Sequence, residues 1–399
     1  MLLLIQSIIV YGFIVWIMTY FGKVAYKNQY PQGIGGIDKF ANRKMSFASL
    51  FLKKYYFIPI LIFCLFSAIR YKVGVDFDAY KRFFYEILDY GRVLDEGAVE
   101  SGFTFLGKLT SAISSTHHLL FFLLAFLQIS FFYYALRKRT YALIHLGLAI
   151  MTSVTYISLM NGVRQNIAAC AFIAMVPLAL EKKGWLWFTL CVAAATLMHK
   201  SAFALLPIGM LVYFVFQRGT LSVPIQLLIM FACLIFMDKF DTSYLERIYA
   251  FGEQAGYSAN KIDTYSELEL TTKSFGLWGI TTFFIQVCAV IYSKKILSMT
   301  NDKVMTCMYN LSFVATCLDT LFYNNFGINR LNYYFIIFQP IILSLLLFYT
   351  SRSKKKIDLY VFRSIFTIMI IRYIYLLYTS LSNANECILY KFDLFRGVM

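Results

Sequence analysis

Apolar residues run through this chain in long stretches, separated by short clusters of charge. About 20 apolar residues span a bilayer as one helix. Backbone groups in lipid must be bonded within their own segment, so these stretches predict helices. Twelve are predicted, at 2–21, 55–69, 118–136, 141–160, 165–180, 185–198, 201–216, 222–237, 274–293, 304–323, 331–350 and 359–380. The stretches at 185–198 and 201–216 are short, which predicts tilted, pinched or re-entrant segments. The first stretch has no basic leader and no small-residue cleavage site, so it predicts a retained span.

Two longer polar segments interrupt the pattern. In 70–117, Phe77, Tyr80, Phe83, Phe84, Ile87 and Leu88 recur at helical spacing with polar residues between them. That predicts an amphipathic helix lying flat on the membrane surface. In 238–273, Ser243 and Glu246 stand at capping-box spacing ahead of Ile248 and Phe251, which predicts a second short helix. Neither a repeat nor a low-complexity linker nor a separate soluble domain is legible. The expectation is one all-α integral membrane domain over 1–399.

Composition narrows the class. The chain is 60% hydrophobic and 15% charged, with 40 Phe, 30 Tyr and only 6 Pro. A soluble domain carries roughly 45–50% apolar and about 25% charged residues, so an ordinary soluble enzyme, a coiled coil and a disordered chain are excluded. The net charge of +16 would suggest nucleic acid in a soluble protein. Here charge sorts by loop instead. Loops after odd-numbered spans hold 20 basic residues against four acidic, Asp38, Glu181, Asp302 and Asp358. Short basic loops stay in the cytoplasm. Both termini and the even-numbered loops are therefore predicted to be extracytoplasmic, and nucleic acid is not an expected partner. The eight cysteines lie mostly in apolar stretches, and no metal-binding Cys or Cys/His spacing exists, so neither disulfides nor a metal site is expected.

Charges at the rim of a helical bundle are expensive and tend to be functional. Several fall at the predicted outer face although they are far apart in sequence. They are Arg70, Gly74, Asp76 and Tyr80; Glu100, Ser101, Gly102 and Phe103; Asn161, Arg164 and Gln165; His199, Lys200 and Ser201; and Asn324, Asn325, Asn329 and Arg330. Arginine offers a permanently charged fork suited to phosphate oxygens, so convergence of these ends would make a polyanion site. Each has a structural reading too: Arg70 as an interfacial anchor, Asp76 as a cap on the surface helix, Glu100 as a solvated acid, His199 as a satisfied histidine. His117, His118 and His145 read as structural, and Arg363 as a cation that reaches back to the inner rim. Arg372 lies deeper, where it either lines a cavity or pairs with a carbonyl or with Asp319.

In this order the pieces resemble the Wzy-type polysaccharide polymerases, and most closely their EpsG-like branch. The resemblance is carried by Arg70-Tyr-Lys-Val-Gly74-Val-Asp76 with Tyr80, Glu100-Ser-Gly-Phe103, Asn161-Gly-Val-Arg164-Gln165 with Ala168, His199-Lys-Ser-Ala202, Asn329-Arg330 with Tyr333, and the closing Tyr390-Lys-Phe392. It implies a fold similar to integral-membrane glycosyltransferases that use lipid-phosphate donors. It also implies polymerisation of undecaprenyl-pyrophosphate-linked oligosaccharide repeats into O-antigen, capsule or exopolysaccharide. The site would be the outer face of the bacterial cytoplasmic membrane. The partners it implies are that lipid-linked oligosaccharide, the bilayer itself and a chain-length regulator; no cofactor is implied.

That chemistry needs cations for the leaving pyrophosphate and a base for the acceptor hydroxyl. No acidic metal cluster is legible, so arginine would take the place of a divalent ion. Arg164 and Arg330, with Arg70 and Arg372, are the expected pyrophosphate ligands. His199 is the first candidate base, because an ordinary imidazole titrates at about 6.5. Asp76 and Glu100 are rivals for that role or orient His199. Gln165, Tyr80, Asn329 and Tyr333 are the expected sugar contacts. A flippase or exporter of the same lipid would spread polar groups through membrane depth and often shows repeated halves. An O-antigen ligase would carry a long outer loop late in the chain. A membrane O-acyltransferase would show a buried histidine motif, and a scaffold would not justify the outer arginines.

Overall fold

A computed structural model describes residues 1–31, 49–94, 99–153, 155–182, 184–237, 239, 275–381 and 386–393. Among these residues the backbone is helical, and its one approach to a sheet is an isolated antiparallel bridge between Arg70 and Phe392. The principal helices are α1 (Leu2–Gln29), α2 (Lys54–Ala68), α3 (Phe77–Tyr90), α4 (Ser101–Ser111), α5 (His118–Leu136), α6 (Val163–Lys182), α7 (Trp185–Met198), α8 (Val223–Ile235), α9 (Gly276–Thr300), α10 (Lys303–Leu321), α11 (Phe326–Ile336), α12 (Gln339–Arg352) and α13 (Lys356–Thr379).

Among the described residues, seven segments are long and apolar enough to cross a membrane: Leu2–Gln29, His118–Leu136, Val163–Leu180, Gly276–Thr300, Lys303–Leu321, Asn329–Arg352 and Lys356–Thr379. Four apolar pieces are shorter: Lys54–Ala68, Trp185–Met198, Lys200–Phe216 and Val223–Ile235. The protein is thus a multi-pass helical membrane protein, with fewer full-length crossings among the described residues than the twelve predicted.

The segment predicted as a span at 141–160 is not one helix. It forms a 3₁₀ turn at Thr140–Leu143, then two short helices at Leu146–Thr152 and Thr155–Met160. Broken backbone at membrane depth is tolerated only where protein encloses it, and almost every residue from Thr140 to Thr152 is buried. The side-chain hydroxyls of Thr152 and Ser153 donate to the carbonyls of Leu148 and Ala149, satisfying acceptors at the break. Two glycines permit close approach to α1. A Cβ on Gly22 would stand 2.6 Å from the Leu143 carbonyl oxygen, and one on Gly147 would stand 2.7 Å from Met18 Cβ.

The core is a stack of α2, α5 and α6, flanked by α1 and α7. The α3 helix forms where its periodicity predicts it. Its apolar face, Phe77, Tyr80, Phe83, Phe84 and Ile87, packs with Phe103, Leu120, Phe121, Val163 and Met198 of α4, α5, α6 and α7. That face is covered by the protein's own chain. The second predicted surface helix, with Ser243, Glu246, Ile248 and Phe251, lies outside the described residues.

The chain's last described segment is built into the fold. Tyr71 and Gly74 donate their backbone N–H groups to the carbonyls of Lys391 and Cys387, and Asp393 donates its own to Ile69. Tyr390 donates its hydroxyl to the Phe66 carbonyl at 2.6 Å, and Tyr11 donates to the Ile388 carbonyl at 2.7 Å. The tail therefore ties α1 and α2 to the loop 69–76. At the opposite end of the bundle, Arg139 grips Asp302 through two nitrogens, and Asp302 caps α10. All eight cysteines carry free thiols.

Candidate active site

The α4 helix starts at Glu100, whose carboxylate is the hub of the site. Its placement follows from Gly102: a Cβ there would stand 2.6 Å from the Leu197 carbonyl and 3.0 Å from Met198 Sδ. Only glycine lets the start of α4 lie this close to the end of α7. Phe103, fully buried, packs its ring against Tyr80 at 5.5 Å between centroids. The α7 helix ends at His199, which is extended (φ −158°, ψ 119°) and so turns its imidazole toward α4.

Glu100 Oε1 lies 3.0 Å from His199 Nδ1 and accepts the Lys200 backbone N–H at 3.3 Å. Glu100 Oε2 accepts from Arg164 Nη1, in the first turn of α6. All three side chains are about four-fifths or more enclosed. Burial works to raise the Glu100 carboxyl. The His199 hydrogen bond and the Arg164 charge outweigh it and hold the group at about 2. A carboxylate can only accept, so it fixes the Nδ1–H tautomer of a neutral His199 and leaves Nε2 with a lone pair. The Arg164 charge also lies within electrostatic reach of the Tyr80 hydroxyl. Tyr80 is nearly enclosed, and burial raises its phenol.

Asp76 is locked to the turn before α6. Its Oδ2 accepts the Gly162 N–H at 2.8 Å, and Asn161 Oδ1 accepts the Asp76 N–H at 3.1 Å. Gly74 sits below with φ +91°, and a Cβ there would stand 2.6 Å from the Met160 carbonyl. Gly162 takes φ +47°, and Asn166 donates back to the carbonyls of Ser158 and Asn161. The loop 70–76 and the turn 160–163 thus hold each other.

Gln165 brings in α11. Its amide donates to the Arg330 carbonyl at 2.6 Å, and Ser201 hydrogen-bonds Tyr334 across the same junction at 2.9 Å. Arg164 and Arg330 therefore sit on directly bonded helices. Tyr333 is half-buried, within electrostatic reach of Arg330, Asp76 and Asp319. Asn329 donates to the carbonyls of Phe322 and Tyr323, closing the end of α10.

Of the predicted site residues, Glu100, His199, Arg164, Tyr80, Gln165, Arg330, Tyr333 and Asp76 gather at one end of the bundle. Arg70 has another role from the one expected. It is 2% exposed, its guanidinium donates to the carbonyls of Ser67, Val73 and Met160, and it lies 4.6 Å over the Phe121 ring. Burial lowers its pKa to about 10. Enclosed in this way, it braces the loop from beneath and does not line an open phosphate site. Arg372 also departs from expectation. It stacks on Trp278 at 3.8 Å and donates to Thr282, bridging α13 to α9. The amides of Gln165 and Asn329, expected on sugar, bond to backbone carbonyls. Sequence reasoning missed Ser201 and Asn166 as braces. A hydroxyl directly after His199-Lys200 and an amide two residues after Arg164 were the signals present.

A sequence model of the EpsG family matches residues 53–392, from the start of α2 to the C-terminal tail. The chain belongs to the EpsG family. Membership makes it, in general terms, a polysaccharide polymerase, a glycosyltransferase-like enzyme of the membrane. No curated protein and no solved structure matches the chain. The family match covers every element that contributes to the Glu100 cluster.

Proposed function

We propose that this EpsG-family protein polymerises oligosaccharide repeats carried on undecaprenyl pyrophosphate, at the outer face of the bacterial cytoplasmic membrane. The observation that carries the reading is the Glu100 carboxylate. It joins a histidine to an arginine, beside a second arginine's helix, at one end of a multi-pass bundle. The basic turn 137–139 after α5 and the turn before α10 lie at the other end among the described residues, which favours a cytoplasmic location for that end and an outer location for the site.

In this reading the growing chain, on its lipid pyrophosphate, is the donor, and the terminal sugar of a new lipid-linked repeat is the acceptor. His199 Nε2 takes the proton from the acceptor hydroxyl. The oxygen attacks the donor's anomeric carbon, and the bond from that carbon to the pyrophosphate oxygen breaks. The electron pair leaves with undecaprenyl pyrophosphate. Arg164 and Arg330 hold the charge that grows on that leaving group. Glu100 fixes the tautomer of His199 and carries negative charge beside the imidazolium that forms. Tyr333, half-buried and within electrostatic reach of Arg330 and Asp76, is a candidate for sugar contact. The bilayer presents both lipid-linked substrates, and a chain-length regulator is the protein partner this activity would use.

The test is reconstitution. Purified protein given one defined undecaprenyl-pyrophosphate-linked repeat is expected to yield a ladder of polymers and free lipid pyrophosphate. Movement of the lipid across the membrane without new glycosidic bonds would overturn the reading in favour of a flippase.

A further inference from the structure

Away from the Glu100 cluster, a second group of chemistry-bearing side chains is left without a role. His117 and His118 open α5, and Asp393 arrives from the C-terminal tail. His117 is 2% exposed. His117 Nε2 and Asp393 Oδ2 are 3.0 Å apart, and His118 Nε2 lies 3.8 Å from the same oxygen.

Ion pairing alone does not account for this geometry. His117 Nε2 is enclosed and makes no hydrogen bond, although the Asp393 oxygen is 3.0 Å away. A buried ring nitrogen that meets a carboxylate at this distance without a hydrogen bond calls for an explanation. The other ring nitrogens are held from behind. His118 Nδ1 is 3.1 Å from the Ala68 carbonyl, which can only accept. The proton is therefore on Nδ1, and Nε2 presents a lone pair in the neutral ring. His117 Nδ1 faces the Tyr85 hydroxyl at 3.4 Å. Two imidazoles backed by oxygen, with Nε2 atoms converging on one carboxylate, is the arrangement by which proteins orient metal-bound histidines.

We propose that His117, His118 and Asp393 bind one divalent zinc-class cation, with a fourth position open to water on the His118 side. Ligands at about 2.0–2.1 Å around a tetrahedral ion stand about 3.3 Å apart, and the two distances here, 3.0 and 3.8 Å, bracket that value. The donor set of two nitrogens and one oxygen suits zinc and its d-block neighbours. Magnesium and calcium favour all-oxygen sites. The role is structural. Asp393 continues the strand-like pairing of the tail with residues 69–71, so the ion locks the C-terminal tail to α5. The loop 69–76, which carries Asp76, lies between them. The pattern was hidden in the sequence because two adjacent histidines and an aspartate near the other end of the chain match no ligand spacing.

The experiment uses full-length protein in detergent, purified through a tag without histidine, stripped with chelator and reloaded with Zn²⁺ or Co²⁺. One tightly held zinc per chain and the visible spectrum of tetrahedral Co²⁺ are expected, with a higher melting temperature when loaded. His118→Asn and Asp393→Asn are expected to lose at least nine-tenths of the bound metal. Tyr85→Phe, which keeps all three ligands, is expected to weaken affinity about tenfold. Failure of wild-type protein to retain metal, or equal retention by both ligand variants, overturns the proposal. Metal content and melting are read without substrate, so neither result depends on the polymerase reading.

Discussion

His199 Nδ1 lies 3.0 Å from Glu100 Oε1, so the carboxylate contacts the imidazole on the side away from its candidate basic nitrogen. Burying a carboxylate alone is costly. Here the second oxygen is held by Arg164, which makes Glu100 an anion fixed between His199 and Arg164.

Glu100→Gln keeps the shape and replaces the acceptor pair with an amide. The anchor for the Nδ1–H tautomer weakens, and Arg164 loses its counter-charge. Initial polymerisation rate is expected to fall about a hundredfold. The acid limb of stability gives a second readout. Glu100 sits at about 2 in the fold against an ordinary 4.5. A depressed carboxylate stabilises above its unfolded value and loses that stabilisation as pH falls through its folded value. The melting-temperature gap between wild type and Glu100→Gln should be constant above the carboxylate range and narrow from about 4.5 towards about 2.

Gly102→Ala tests the close approach directly. The new methyl would meet the Leu197 carbonyl, which is backbone and cannot swing away. The start of α4 must lift from α7, lengthening the contact between Glu100 and His199. A loss of tenfold or more in kcat is expected, with a melting temperature within a few degrees of wild type. Gly107→Ala is the control, because its methyl would meet the end of the flexible Ile87 side chain instead.

Arg164 and Arg70 separate two uses of one residue type. Arg164→Ala removes a charged contact from an enclosed site, on the order of 3 kcal/mol or about a hundredfold in rate. Arg164→Lys is expected to fall between, since one ammonium cannot reproduce the planar guanidinium fork that meets Glu100. Polymer ladders in cells at matched protein level give the readout, and full-length chains from both variants would falsify the clamp. Arg70→Ala instead strips three buried carbonyls of their donor. It is expected to cost on the order of 3 kcal/mol of stability, seen as lower protein level and melting temperature.

Much of this site was legible because its chemistry sits at helix ends that the hydropathy pattern locates. Glu100, Arg164 and His199 flank apolar stretches, and loop charge put their ends on one predicted face. The enclosure of Arg70 was not legible for a physical reason. A sequence shows the charge of an arginine but not the backbone carbonyls that satisfy its donors. The bonds that Gln165 and Asn329 make to backbone carbonyls were hidden the same way, since an amide looks identical whether it meets a sugar or a helix end. The stretch 141–160 is apolar enough to predict a crossing. Enclosure by α1 and α12, which lets the backbone break there, is a tertiary fact. The role of Gly102 depends equally on what lies opposite it.

Asp76 remains a carboxylate near the reacting space, and its bonding decides its role. Oδ2 accepts the Gly162 N–H, while Asn161 returns a bond to the Asp76 N–H. An asparagine keeps an acceptor oxygen for Gly162 but cannot act as a base. Asp76→Asn is therefore expected to retain activity within about threefold, whereas a lost general base would cost about 10²–10⁴-fold. Asp76→Ala removes the acceptor, leaves the Gly162 N–H unpaired, and frees the turn that aims Arg164. Its expected cost is about 1–3 kcal/mol of stability together with a tenfold loss of rate. Comparing the two variants by initial rate and melting temperature distinguishes a positioning residue from the base. Loss of activity in Asp76→Asn at unchanged melting temperature would move the proton-accepting role from His199 to Asp76.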